Sequence, residues 1–205
     1  YARFLNSLPY FNNLVITDED KMRGNLYVTE RLRKEEEKHY ENKEEFLKSL
    51  SLTLTIFEND DSCVERLSQL TEKTNQFNTL KRPLTKEEVA SYIERPTHSV
   101  YHARLQDVFG DYGVILFALV EKREASWHIQ SLLMSCRVFG RGVEDAFFAT
   151  LVAQARREGV STITVEWEET EKNFPAREFI SRHFIDNAYN TDVTTTTPPW
   201  ITFQS

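Results

Sequence analysis

Cysteine is scarce. Cys63 and Cys136 are the only two in 205 residues, and they stand far apart. They make no disulfide framework, which implies a reducing, cytoplasmic setting. No apolar run is long enough to cross a bilayer, and no secretory hydrophobic region is present, so no membrane partner is expected. Positive charge is not in excess: 25 Lys and Arg against 32 Asp and Glu give a formal charge of -7, which argues against a nucleic-acid partner. The five histidines and two cysteines show no metal-ligand spacing, which predicts no zinc. What is present is 40% hydrophobic and 12% aromatic, enough for one good-sized domain with an appendage. Beginning at Tyr1 rather than Met, the chain reads as a processed or excised piece of a longer one.

The sequence divides into two unlike parts. Residues 1–48 are dense in charge with thin apolar periodicity, and read as a helical linker. Thr17 is its candidate N-cap, with Asp20 three residues on and a break expected near Gly24. From residue 49 the punctuation changes. "SLTLTIFE" alternates as a strand does. Val64, Leu67 and Leu70 fall at helical spacing behind a cap at Asp60, Asp61 or Ser62. Thr85 and Glu88 form a capping box, and Pro96 ends that helix. "HSVYHARLQDVFG", "GVILFALVEK" and "SWHIQSLLMSCRV" read as three strands, the first two joined by a turn at "DYG" that includes Asp111. Their short connections require antiparallel pairing. "VEDAFFATLVAQARREG" is a long amphipathic helix, "VSTITVEWEE" a strand, "FPAREFISRHF" a short helix and "TPPWITF" a last strand. The fold class is therefore mixed α/β, one mixed central sheet flanked by helices.

The stretch "LLMSCRVFGRGVED", residues 132–145, concentrates the chemistry. Glycines let a ligand approach the backbone closely. The first turn of the following helix offers free N–H groups and partial positive charge, and the whole suits an anion such as pyrophosphate. Arg137 and Arg141 add paired donors. An ordinary tight strand-to-helix turn explains the same spacing. Cys136 stands beside these cations, which favour a reactive thiolate; a small buried strand residue is the plain alternative. His128 is eight positions earlier, roughly 26 Å away along a straight strand, too far for a direct dyad. Asn75, Gln76 and Asn78 could line a polar pocket or pin a loop. Glu166 and Glu168 alternate along a strand, where an exposed face accounts for both.

R-x-x-G-x-G at this point in this element order resembles the acyl-CoA loop of the GNAT superfamily of N-acetyltransferases. The resemblance implies that Arg137, Phe139, Gly140, Arg141 and Gly142 hold the pyrophosphate of coenzyme A or of a carrier-borne phosphopantetheine. It also implies a pantetheine arm lying between two splayed central strands. "KNFPAREFISRHF" is similar to that fold's last helix, with Asn173, Ala176 and Phe179 matching. Ile180 stands where a tyrosine often acts as general acid, which speaks against ordinary acetyl transfer. More specifically, "LTEKTNQFNTLKRPLTKEEV", "DVFGDYGV", "LLMSCRVFGRGVEDAF" and "PPWI" resemble the C-terminal part of FkbH-like proteins, in which a HAD-type phosphatase domain precedes a GNAT-like one. "LPYFNNLVITDEDKMRGNLY" resembles the end of the HAD part. The implied organisation is a remnant of an upstream HAD-like domain and linker in residues 1–48 and a GNAT-like domain in 49–205. The implied function is thioester transfer of an acyl group, glyceryl in that family, involving an acyl carrier protein and Cys136. The D-x-D motif of HAD phosphatases is absent, so the chain is not expected to be a phosphatase by itself. A stand-alone N-acetyltransferase and a non-catalytic carrier-docking module are the alternatives.

Overall fold

The computed structural model describes residues 18–204, with side chains from residue 27 onward; the Thr17 cap lies outside the described residues. The chain divides into two compact units, Tyr1–Lys43 and Glu44–Ser205. In the first, helix α1 (Asp18–Glu37) runs through Gly24 without the expected break. Helix α2 (Lys43–Ser49), read from sequence as part of the linker, belongs almost wholly to the second unit.

The second unit is built on an eight-stranded sheet. Its strands are β1 (Leu52–Glu58), β2 (Phe77–Asn78), β3 (His98–Asp107), β4 (Gly110–Lys122), β5 (Ser126–Met134), β6 (Thr162–Val165), β7 (Ala188–Asn190) and β8 (Ile201–Gln204). The order is β7-β6-β5-β4-β3-β1-β8, with β2 pairing β5 beside this path. The sheet is mixed. β5 and β6 are parallel, as are β1 and β8; the other pairs are antiparallel.

Helices α3 (Val64–Lys73) and α4 (Lys86–Ile93) cover one face, and α5 (Val143–Arg157) the other. Leu67, Leu70, Val89 and Tyr92 pack with Val100, Phe117 and Leu133 in one core cluster. Tyr101, the next residue along β3, meets Phe147 of α5 edge-on at 6.1 Å. Successive strand residues point to opposite faces, so the two helical layers sandwich the sheet. Phe148 ties α5 to helix α6 (Phe174–His183), through Phe179, and to β7, through Tyr189.

The capping box forms as expected: Thr85 Oγ1 accepts from the Glu88 amide and Glu88 Oε2 from the Thr85 amide. Three strand boundaries differ from expectation. The β3–β4 turn is at Val108 and Phe109, not at Asp111, because Asp107 Oδ1 accepts from the Phe109 and Gly110 amides and closes the turn there. Asp111 instead lies in β4, with Arg104 at 2.9 Å. β5 ends at Met134, before Cys136, and β6 ends at Val165, before Glu166 and Glu168.

Glu58 anchors one end of the sheet. Its carboxylate accepts from Ser99, Tyr101 and Lys122 on one oxygen and from Gln154 of α5 on the other. Burial works to raise its pKa, but the Lys122, Ser99 and Gln154 bonds and the Lys122 charge outweigh it and hold the group at about 2. A folded value below the unfolded one means stabilisation that is complete above about pH 4.5 and lost as pH falls towards about 2. The urea midpoint is expected to fall across that window. In Glu58→Gln it should be lower at neutral pH and flatter across the same window.

Candidate functional site

The site grows from a divergence of two strands. β6 pairs with β5 only over Ser126–Ile129. Beyond it, the Glu166 amide still reaches Ile129 O at 2.8 Å, and the strands then separate. Separation leaves backbone donors and acceptors facing each other inside the protein, and each must find a partner. The chain supplies those partners itself. Phe77 and Asn78 pair with Met134 and Leu133. The Thr79 amide donates to Leu132 O at 3.0 Å, Thr79 Oγ1 accepts from the Leu132 amide, and the Glu168 amide donates to Thr79 O. Asn173, at the mouth of α6, closes the network. Its Nδ2 donates to Asn78 O at 3.0 Å and Glu168 O at 2.8 Å, and its Oδ1 accepts from the Thr170 amide.

Segment 77–81 is itself pinned to the end of α3. Asn78 Nδ2 donates to Thr74 O, and Lys81 Nζ to the carbonyls of Thr71, Glu72 and Thr74. A cation on the last carbonyls of a helix satisfies them and complements the dipole. Asn78 and Asn173 therefore serve the backbone, each only 2% exposed, whereas Asn75 and Gln76 are exposed. His128 lies at the other end of β5, bonded to Thr164 Oγ1 at 2.8 Å. Glu166 and Glu168 are exposed, off the strand.

After β5 the chain makes a 3-10 turn, Cys136–Val138, which presents Cys136 to solvent. The thiol is thus neither on a strand nor buried. Arg137 turns inward: Nε donates to Ser135 Oγ and Nη1 to Tyr112 O, both at 2.9 Å. Burial lowers its pKa from the usual range, and Arg66 of α3 adds a like charge. Arg141 donates to the carbonyls of Arg137 and Phe139 and lies over the Tyr112 ring. Both guanidiniums therefore brace the loop. Arg66 had no sequence signal, because only the fold brings α3 alongside this turn.

The glycines behave as their spacing suggests. Gly140 and Gly142 both sit at positive φ, 74° and 77°. Among the described residues their amides donate to no carbonyl. Gly142 is the N-cap of α5. The C-terminal tail leans on it: a Cβ there would fall 2.8 Å from Pro198 Cγ, and Trp200 Nε1 donates to Arg141 O at 2.7 Å. Phe139 is half-buried, its ring 6.5 Å from that of Phe77.

The first turn of α5 carries two acids. Burial raises the Glu144 carboxyl towards its neutral form, and Asp145 accepts from His183 Nε2 at 2.7 Å and Arg182 at 3.0 Å. Arg182 also lies 3.8 Å from Glu144. A groove of about 990 Å³ opens beside this helix mouth, with Gly142, Asp145, His183 and Trp200 among its lining residues.

No protein-family model matches the chain, and no curated protein does. Solved structures do. The ribosomal-protein-S18-alanine N-acetyltransferase from Escherichia coli superposes with a TM-score of 0.50 at 12% identity, over 70% of this chain and 96% of that one. An N-acetyltransferase from Staphylococcus aureus Mu50 gives 0.50 at 12% identity, over 68% and 99%. A ribosomal-protein-alanine N-acetyltransferase from Brucella melitensis biovar Abortus 2308 gives 0.50 at 10% identity, over 63% and 89%. The fold is that of the GNAT N-acetyltransferases. At such identities the likeness is one of architecture. Within that GNAT fold the slot expected between the splayed strands is filled, here, by residues 77–79. Ile180, buried in α6, brings no proton donor. Among the described residues, no helix is long and apolar enough to cross a membrane.

Two substitutions test this geometry. Asn173→Ala strips two carbonyls and one amide of their buried partner and should cost about 2–4 kcal/mol in chemical denaturation. Gly142→Ala forces a side chain into left-handed backbone and into Pro198. It should cost about 1–3 kcal/mol and make tryptophan emission more open to iodide quenching as Trp200 loosens.

Proposed function

We propose that this GNAT-fold domain is the acyl-transfer module of an FkbH-like enzyme, working with an upstream HAD-type domain and an acyl carrier protein. The group transferred is an acyl unit, glyceryl in the family it resembles, and Cys136 is the thiol that receives it. The observation carrying this reading is the position of Cys136: exposed, one turn before two glycines whose amides donate to no carbonyl among the described residues.

The residues around Gly140 and Gly142 suit the phosphate of a pantetheine arm, whether carrier-borne or part of coenzyme A. The two amides donate to no carbonyl among the described residues, the dipole of α5 adds partial positive charge, and Arg182 and His183 pair with Asp145. The filled gap beside β5 does not suit the arm itself. A thioester must therefore reach Cys136 over the solvent face of the turn. There the sulfur of Cys136 attacks the thioester carbonyl. The new carbon–sulfur bond forms as the pantetheine sulfur leaves and takes the thiol proton. Such an exchange is nearly isoenergetic and asks mainly for positioning, so it needs no acid at the place of Ile180.

The filled gap also favours a second reading, a docking module that holds a carrier protein without a covalent step. One experiment separates the two. The enzyme is incubated with a glyceryl thioester of a holo carrier protein, and its peptides are weighed. A glyceryl adduct confined to Cys136 and lost in Cys136→Ala is expected. An unmodified Cys136, or transfer undiminished in Cys136→Ala, overturns the covalent reading; carrier binding that survives in Cys136→Ala without any adduct identifies docking.

A further inference from the structure

A second cluster of reactive side chains lies outside the loop and the gap. Asp60 and Cys63 occupy the turn between β1 and α3, and His102 lies in the middle of β3. Cys63 Sγ is 3.4 Å from His102 Nε2, and that nitrogen is 3.6 Å from Asp60 Oδ2. The three donor atoms all lie within 4.8 Å of one another. Zinc–sulfur bonds of about 2.3 Å and zinc–nitrogen or –oxygen bonds of about 2.0–2.1 Å separate tetrahedral ligands by about 3.3–3.6 Å. The His102 Nε2–Asp60 Oδ2 separation falls near that edge length.

The surroundings are those of a held ligand set. His102 is 2% exposed. Phe57 stacks on its ring at 4.7 Å and 14°, which fixes the ring plane. Asp60 accepts from the Ser62 amide at 2.9 Å and from Ser62 Oγ at 2.8 Å, which orients its carboxylate as outer-shell bonds orient metal ligands. Asp60 keeps partial access to solvent, with 29% of its side chain exposed. Thiolate and imidazole together select zinc or cobalt over magnesium or calcium.

We propose that Cys63, His102 and Asp60 bind one zinc-class dication through Sγ, Nε2 and Oδ2, leaving the fourth position to water. Sγ stands nearly equidistant from the two ring nitrogens, 3.4 and 3.6 Å, so it faces the ring rather than a lone pair. Ligation swings the thiol off that face by rotation about χ1. The Cys63 proton goes to solvent, a sulfur–metal bond replaces the S–H bond, and His102 binds as the neutral ring. Bound metal would clasp the β1–α3 turn to β3. The absence of ligand spacing in the sequence predicted no zinc; these ligands converge from positions 39 residues apart.

Cobalt(II) is the probe. Added to the reduced, chelator-treated protein, it should give a near-ultraviolet thiolate-to-cobalt band and the visible bands of a tetrahedral ion, both saturating at one equivalent. Cys136→Ser should keep the bands and Cys63→Ser abolish the thiolate band. Asp60→Asn, which retains an acceptor for the Ser62 amide, should weaken affinity at least about tenfold. In the unaltered protein, zinc should raise the unfolding midpoint and slow alkylation of Cys63 but not of Cys136. No thiolate band at one equivalent, a band surviving Cys63→Ser, unchanged affinity in Asp60→Asn, or no protection of Cys63 would overturn the proposal.

Discussion

The structure depends on how the backbone is satisfied where β5 and β6 part. Parallel neighbours that separate inside a protein leave two rows of N–H and C=O groups without water, and such groups are costly to bury unpaired. Residues 77–79 fill one row and Asn173 bridges to the other. This one solution positions several elements together. It fixes the end of α3, because Asn78 and Lys81 hold its last carbonyls. It fixes the start of α6, because Asn173 is the residue before that helix. It also ends β6 early, since Glu168 bonds to Thr79 instead of continuing beside β5.

The same accounting explains which parts of the fold were legible in the sequence. Patterns with a local cause came through: the alternation of β1, the Thr85–Glu88 box, the length of α5, the antiparallel three-strand run and the final strand after "TPPW". Boundaries with a distant cause did not. Nothing in "VSTITVEWEE" shows that Glu168 meets a residue near position 79. Nothing in "DYG" shows that Asp107 turns the hairpin earlier. The amide-rich "KTNQFN" suggested either a pocket or a pinned loop, and residue type alone could not divide Asn78, buried and pinned, from Asn75 and Gln76, exposed. In the loop after β5, the positive φ of Gly140 and Gly142 was readable from residue type. The inward turn of Arg137 and Arg141 was not, because it depends on Tyr112 and Ser135 being within reach.

Each acid in the first turn of α5 has Arg182 nearby, 3.8 Å from Glu144 and 3.0 Å from Asp145. An acid in the first turn of a helix is favourable to the dipole, yet it would repel a phosphate held there. Burial moves Glu144 towards neutrality, and α6 brings Arg182 and His183 to Asp145. Arg137 donates to Ser135 Oγ and to Tyr112 O of β4, and Arg141 Nη1 to the carbonyls of Arg137 and Phe139. The glycine amides donate to no carbonyl among the described residues, with the dipole of α5 behind them. On the proposed reading, recognition by backbone would be blind to the acyl group.

On the proposed reading, two features that look like losses belong together. The position where a GNAT-type tyrosine would protonate a leaving thiolate holds Ile180, buried in α6. The slot that would guide an acyl chain past that tyrosine is filled by the chain itself. Amine acetylation would be helped by both, because a neutral amine must be positioned beside the thioester and the departing sulfur benefits from a proton donor. Exchange between thiols needs neither: the attacking thiol brings its own proton and both ends of the reaction are thioesters. On that reading the exposed thiol at the glycine loop is the part that thioester exchange would use.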